Sequence, residues 1–158
     1  MEIFKTHSGC GLMVNQQQLT NGILVKEITL TRTETKTWEE ALDYCTERNT
    51  SLASMNSSTI MDLAVNMAKN AQTVNVWTGL RFLMGHWFWV NGGDLEYKAW
   101  SEEGELQCPV MNQRCGALDK DRRVWNPKNC QERLHFFFCK WHNVNCVTRK
   151  PCIVGYYS

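Results

Sequence analysis

Val76-Trp77-Thr78-Gly79-Leu80-Arg81-Phe82-Leu83-Met84-Gly85-His86-Trp87-Phe88-Trp89-Val90-Asn91-Gly92 alternates apolar runs with turn-forming residues. The runs Val74 to Leu80 and Gly85 to Val90 are short and rich in aromatic and β-branched side chains, so they read as strands. Asn91-Gly92-Gly93-Asp94 is a strong turn signal, because Asn and Gly tolerate the left-handed backbone that tight turns require. Trp87 and Trp89 alternate on either side of Phe88, which puts both on one face of a strand. They are expected to pack in the core, with a stacking platform for sugar rings as the secondary reading.

The same texture continues toward the C-terminus. Arg114 to Leu118, Val124-Trp125 and Leu134 to Lys140 read as strands, and Asp119-Lys120-Asp121-Arg122-Arg123 as a charged hairpin turn with a solvated tip. Toward the N-terminus the pattern changes. Thr37 opens a helix, its hydroxyl capping the first free amides while Glu40, three residues on, completes a capping box. Trp38, Ala41, Leu42 and Cys45 follow at helical spacing as one apolar face. A second helix begins near Ser58 or Thr59, with Ile60, Leu63, Ala64 and Met67 as its buried stripe, where Met serves as gap-filling core. Ile23 to Thr31 suits a further strand. Two helices followed by a run of short strands indicate an α+β domain without internal repeats. Residues 1–21 are polar and aperiodic and read as a flank or linker, residues 22–141 as the domain, and residues 142–158 as a tail.

With 158 residues the chain has room for one well-cored domain. Lys and Arg total 17 against 16 Asp and Glu, a net charge of +1 that offers no field for nucleic acid or an anionic membrane. The apolar stretches are too short to span a bilayer, so no membrane insertion is expected. Met1-Glu2-Ile3-Phe4-Lys5 opens without the apolar core of a secretory leader. That leaves a removed leader, a piece of a longer protein, or a cytosolic chain. The eight cysteines argue against the cytosol, because an even count at this density is typical of disulfides. Asn49-Thr50-Ser51 and Asn56-Ser57-Ser58 match the glycosylation acceptor pattern at Asn49 and Asn56, which also favours an extracellular or cell-surface location.

Several landmarks occur in one order. Thr37-Trp38-Glu39-Glu40-Ala41 precedes Cys45, and Ser51-Leu52-Ala53-Ser54-Met55 follows it. Val76 to Leu80 and Trp87 to Gly92 come next, then Trp100, Gly104 and Cys115. Trp125-Asn126 precedes Cys130, and Phe136-Phe137-Phe138-Cys139 closes the set. This ordered set resembles the C-type lectin-like domain from about residue 23 to residue 141, with Val76 to Leu80 similar to the family's Trp-Ile-Gly-Leu signature and Thr78 replacing Ile. The resemblance implies two helices with antiparallel sheets and a long-loop region. It also implies disulfides Cys45–Cys139 and Cys115–Cys130, a structural framework rather than nucleophiles. Closing loops of about 95 and about 15 residues gives ~4–5 and ~3 kcal/mol in the chain-entropy model.

In sugar-binding members of that family a calcium ion is held by a Glu-Pro-Asn or Gln-Pro-Asp triplet, a nearby Glu and an Asn-Asp pair. Here Glu105-Leu106-Gln107 stands at the triplet, so the cis-proline is missing. Gln113 replaces the Glu before Cys115, and Asn126 is followed by Pro127 instead of Asp. Two anionic ligands are gone from a site whose affinity depends on carboxylate count. The expectation is a domain without metal or other cofactor that binds a protein or glycan through its long-loop face, between about residues 95 and 126. Glu102, Glu103, Arg114, Arg122 and Arg123 are candidate polar contacts there. One alternative is a calcium-dependent carbohydrate-binding lectin using the same positions. Another is a zinc-binding module on Cys139, His142, Cys146 and Cys152, which conflicts with the use of Cys139 in the framework. The four histidines, His7, His86, His135 and His142, match no catalytic motif, so the chain is not read as an enzyme.

Four cysteines remain. Cys146 and Cys152 are close enough to bridge locally around Pro151. Cys108 then either bonds Cys10, tethering the N-terminal flank, or bonds a second chain to make a homodimer, or stays a buried thiol. The tether is preferred, because an intramolecular partner has the higher effective concentration.

Overall fold

The computed structural model describes residues 2–7, 10–15, 23–93, 95–102, 105, 108–144 and 155–157, with side chains described only between residues 27 and 139. In chain order the strands are β1 (Glu2–His7), β2 (Cys10–Asn15), β3 (Ile23–Leu30), β4 (Ser51–Leu52), β5 (Asn75–Leu83), β6 (His86–Trp89), β7 (Cys115–Asp119), β8 (Val124–Lys128), β9 (His135–Val144) and β10 (Gly155–Tyr157). The helices α1 (Trp38–Glu47) and α2 (Ser58–Ala68) lie between β3 and β5, flanking β4.

α1 starts as its sequence dictates. The Thr37 side chain accepts from the Glu40 amide and the Glu40 carboxylate accepts from the Thr37 amide, so two orphan donors are satisfied reciprocally. Its buried face is Trp38, Ala41 and Cys45, with Leu42 only partly covered. Ser57 caps α2, whose buried stripe is broader than expected, taking in Met61, Val65 and Ala68 beside Ile60, Ala64 and Met67.

β9 is the hub of the sheet. β3 pairs with it antiparallel on one side (Ile28 opposite Cys139, Leu30 opposite Phe137). On the other side β4 pairs antiparallel and β5 pairs parallel, with Val76 opposite His135 and Trp77 opposite Phe136. The ladders are otherwise antiparallel, as expected, and this one parallel pair makes the sheet mixed. β5 and β9 are distant in sequence, so no hairpin constrains their sense. β5 continues to β7 and then β8, and β6 folds back on β5. Residues 1–21, read as a flank, contain β1 and β2, which pair with each other and on to β3, while β10 from the 142–158 stretch pairs with β1. Backbone ladders form without an apolar alternation to announce them.

Two interlocking apolar clusters fill the interior. One gathers Ile60, Ala64, Leu80, Trp89, Leu118 and Trp125; the other gathers Trp38, Leu52, Trp77, Ala117 and Phe136. The register of β5 on β7 shifts between Trp77 and Arg81, and Thr78 makes that bulge tolerable. Its buried hydroxyl donates to the Gly116 carbonyl at 2.8 Å and accepts from the Leu80 amide at 3.2 Å. The indole of Trp38 donates to the Thr78 carbonyl at 2.9 Å, locking α1 onto β5. Gly116 is required where the strands close up, since a Cβ there would lie 2.4 Å from the Cβ of Leu80.

Candidate functional site: the long-loop face

The long-loop face is held from below by aromatic packing. The Trp125 amide donates to the Ala99 carbonyl at 2.7 Å, and the Ser101 amide donates to the Trp125 carbonyl at 3.0 Å. The chain at 99–101 is thereby tied to β8, with Trp100 bridging Trp125 in parallel sense. The Trp100 ring meets Trp87 at 4.9 Å and Trp125 at 5.5 Å, and Trp89 meets Trp125 edge-on at 5.2 Å. Trp87 and Trp89 are buried, as their alternation implied, which removes them as a sugar platform.

The β7–β8 turn has the expected solvated tip at Asp121, Arg122 and Arg123, and its base is anchored from below. Asp119 is buried, and its carboxylate accepts from the amides of Asp121 and Arg122 at 3.0 and 3.1 Å and from the Asn126 side chain at 3.3 Å. The Lys120 ammonium reaches across to the Ala71 carbonyl at 2.6 Å, and Arg123 is ion-paired with Asp62. These anchors fix the backbone from which the exposed Arg122 projects. An open cleft of about 460 Å³, lined by Ser101, Glu102, Arg122 and Val124, lies between this turn and the 99–102 segment. Arg114 faces elsewhere, donating to the Pro109 carbonyl at 3.4 Å. Glu103 lies outside the described residues.

Among the described residues, the positions of the calcium site do not assemble into a hard-cation cage. Glu105 forms an ion pair with Lys98 at 2.6 Å. The Asn126 amide nitrogen is committed to Asn75 and Asp119, each at 3.3 Å. Gln113 ends a short 3-10 turn, Met111–Gln113, and carries no charge. Pro127 is buried in β8 and has no side-chain oxygen. Gln107 lies outside the described residues. A calcium ion needs several anionic oxygens in a preset geometry, and these residues do not fit it.

Among the described residues one disulfide is closed, Cys115–Cys130, with the sulfurs 2.06 Å apart. The Arg81 guanidinium lies 2.8 and 2.7 Å from its two sulfurs and 5.1 Å above the Trp38 ring, joining the bridge to α1. Cys45 is a thiol, so the Cys45–Cys139 bond implied by the resemblance is not formed in this structure. The two residues nonetheless sit on adjoining backbone: the Thr50 amide donates to the Cys45 carbonyl at 2.9 Å, and Ser51 pairs with Cys139. Burial pushes the Cys45 thiol up to about 11, against the weaker opposing pull of the Thr50 hydroxyl and Arg48. Cys108 is an exposed thiol, which overturns the buried alternative for it. The side chain of Cys10, both Cys146 and Cys152, and the side chain of His142 lie outside the described residues, and the zinc reading with them. His135 is buried and His86 exposed on separate strands. The acceptor residues Asn49 and Asn56 are both exposed. Sequence reasoning missed Asp119 as the anchor of the turn, and Ser101 and Val124 as cleft walls; a Ser directly after the bridging Trp100 was the available signal.

A family model, the lectin C-type domain, matches residues 34–141. The chain belongs to the C-type lectin domain family. Among its relatives, the secretory phospholipase A2 receptor of Bos taurus is 28% identical over 109 residues, 68% of this chain but only 7% of the receptor. One chain of the snaclec coagulation factor IX/factor X-binding protein of Echis carinatus is 31% identical over 112 residues, 68% of this chain and 82% of that one. The crystal structure of human lithostathine has the same fold, with a TM-score of 0.66 at 19% identity, covering 87% of this chain and 92% of that one. This C-type lectin domain thus spans a small part of the receptor it resembles and most of the snaclec chain. Among the described residues no helix is long and apolar enough to cross a membrane.

Proposed function

We propose that this C-type lectin domain is an extracellular recognition module that binds a protein or glycan through its long-loop face without calcium, and that it performs no chemistry on its ligand. The observation that carries the reading is the state of the calcium positions. Glu105 is engaged by Lys98, the Asn126 amide nitrogen is held inside the sheet, and Pro127 brings no oxygen. Arg122 projects to solvent from backbone held by its amide bond to the Asp119 carboxylate, which lowers the entropy lost on binding, and Glu102 is exposed on the same cleft. Relatives named as a receptor and as a factor-binding protein agree with a binding role. Exposed Asn49 and Asn56 are suited to carry glycans in a secreted or cell-surface protein.

Calorimetry at millimolar calcium tests the metal directly, and the melting temperature is expected to be the same with calcium and with chelator. A glycan and protein screen run under both conditions is expected to return ligands whose capture is insensitive to chelator. A melting temperature that falls on chelation, or ligand capture that needs calcium, would overturn the reading.

A further inference from the structure

We infer that the Cys115–Cys130 bridge is a site of thiol–disulfide exchange, opened by a small thiol of the glutathione type while the rest of the domain stays folded. Arg81 carries this inference. Its Nη1 lies 2.8 Å from the Cys115 sulfur and 2.7 Å from the Cys130 sulfur, so one guanidinium nitrogen faces both ends of the bond. A neutral disulfide is a weak acceptor and uses that charge poorly. A thiolate formed at either sulfur gains a charge-assisted hydrogen bond instead. The Arg81 side chain is only 21% exposed and lies 5.1 Å from the Trp38 ring, so its charge acts at short range with little water between. The carboxylate paired with it, Glu39, is 3.8 Å from Nη2 and 64% exposed, too well solvated to neutralise it.

The burial of the two cysteines sets the direction of attack. Cys130 is 8% exposed and Cys115 0%. A solvent thiolate therefore attacks the Cys130 sulfur and forms a mixed disulfide there. Cys115 leaves as a thiolate with the electron pair of the broken bond. A second small thiolate attacks the sulfur that was added, departs with it as the small-molecule disulfide, and releases Cys130. Two small thiols are oxidised for one bridge reduced, and their two protons pass to the cysteines. Without Arg81 the Cys115 thiolate would form inside the core with no counter-charge. Cys45, buried in the same apolar cluster, shows that cost: desolvation outweighs Arg48 and the Thr50 hydroxyl and pushes its thiol up to about 11. A thiolate leaves poorly from such a place, so a Cys45–Cys139 bond would be the inert one. Opening the other bridge needs no unfolding. Cys115 stays in its ladder, opposite Arg81 on β5 and Lys128 on β8, and the Cys130 carbonyl accepts from the Trp38 amide at 3.0 Å. Reduction therefore loosens the joint between β7 and the start of α1 without dissolving either.

The test places the oxidised full chain in graded buffers of reduced and oxidised glutathione, followed by acid quench, alkylation and peptide mapping. Cys115 and Cys130 are expected to become alkylatable ahead of Cys45 and Cys139 with the circular dichroism of the fold retained, and quenched early samples to carry glutathione on Cys130. Arg81→Gln is expected to slow the opening about fivefold or more. It should also shift the equilibrium about tenfold toward the disulfide, a potential ~30 mV more negative. The direction of the change identifies the role of Arg81. Were it only a packing support for α1, its removal would loosen the site and speed reduction. Arg81→Lys keeps a charge but not the planar fork, and should fall between parent and Arg81→Gln; it carries the comparison if the glutamine variant does not fold. Opening as fast or faster in the variants overturns the inference. So does reduction only where the fold melts, glutathione trapped on Cys115, or a Cys45–Cys139 bond that opens first.

Discussion

Thr78 shows how one residue reconciles a family pattern with local geometry. Its position reads as an ordinary β-branched strand residue, for which an Ile would have a similar shape but no hydroxyl. The register shift between β5 and β7 leaves the Gly116 carbonyl and the Leu80 amide needing partners, and the Thr78 hydroxyl serves both. Thr78→Val keeps the shape and removes the hydroxyl, leaving these groups with less compensation in a fully buried site. The expected loss is about 1–3 kcal/mol, read as a lower denaturant midpoint with an unchanged slope. A variant as stable as the parent would show that the bulge satisfies itself.

At the scale of elements, α1 is stapled to the sheet by groups legible only in part beforehand. The capping box and the apolar face were both evident in the Thr37 to Cys45 stretch. The indole bond from Trp38 to Thr78 and the stacking of Arg81 were not, because they join residues some forty positions apart. The adjoining placement of Cys45 and Cys139 makes their oxidation a natural further staple between α1 and β9. Under oxidising conditions, peptide mapping without reduction is expected to recover Cys45 linked to Cys139 and Cys115 linked to Cys130. Recovery of Cys45 on any other cysteine would reject the pairing. The reduced protein supplies a second check. With its thiol held up to about 11 against an ordinary value of 9.0, folded Cys45 keeps its proton where the unfolded chain has released it. Stability contributed by the neutral thiol is therefore complete below about pH 9 and declines as pH rises toward 11, by on the order of 2 kcal/mol. The oxidised protein, having no such proton, should lack this decline, so the two forms should diverge in melting temperature across that interval.

For the molecule as a whole, the partner of Cys108 sets the covalent architecture. It is exposed beside the long loop, and a solvent-accessible thiol in an oxidising compartment finds a partner. The expected outcome remains the tether to Cys10, because an intrachain partner has the higher effective concentration. In that case non-reducing electrophoresis gives a monomer, and Cys10 becomes alkylatable only in Cys108→Ser. A covalent dimer abolished by the same substitution would instead assign Cys108 to a second chain. Free alkylation of Cys10 in the parent protein would reject the tether outright.

The features legible in the chain alone were local or compositional. The cap of α1, the approximate start of α2, the existence of the central strands, the burial of Trp87 and Trp89 and the loss of calcium carboxylates each depend on residues within a few positions, or on residue identity alone. Tertiary structure decided what depends on distant partners. The parallel pairing of β5 with β9 and the addition of β1, β2 and β10 to the sheet rest on backbone hydrogen bonds that any sequence can make, so they leave little trace in side-chain pattern. The cleft is decided the same way. Ser101 and Arg122 are far apart along the chain, and they share one cleft because the 99–101 segment bonds to Trp125 while the buried Asp119 holds the turn beneath Arg122.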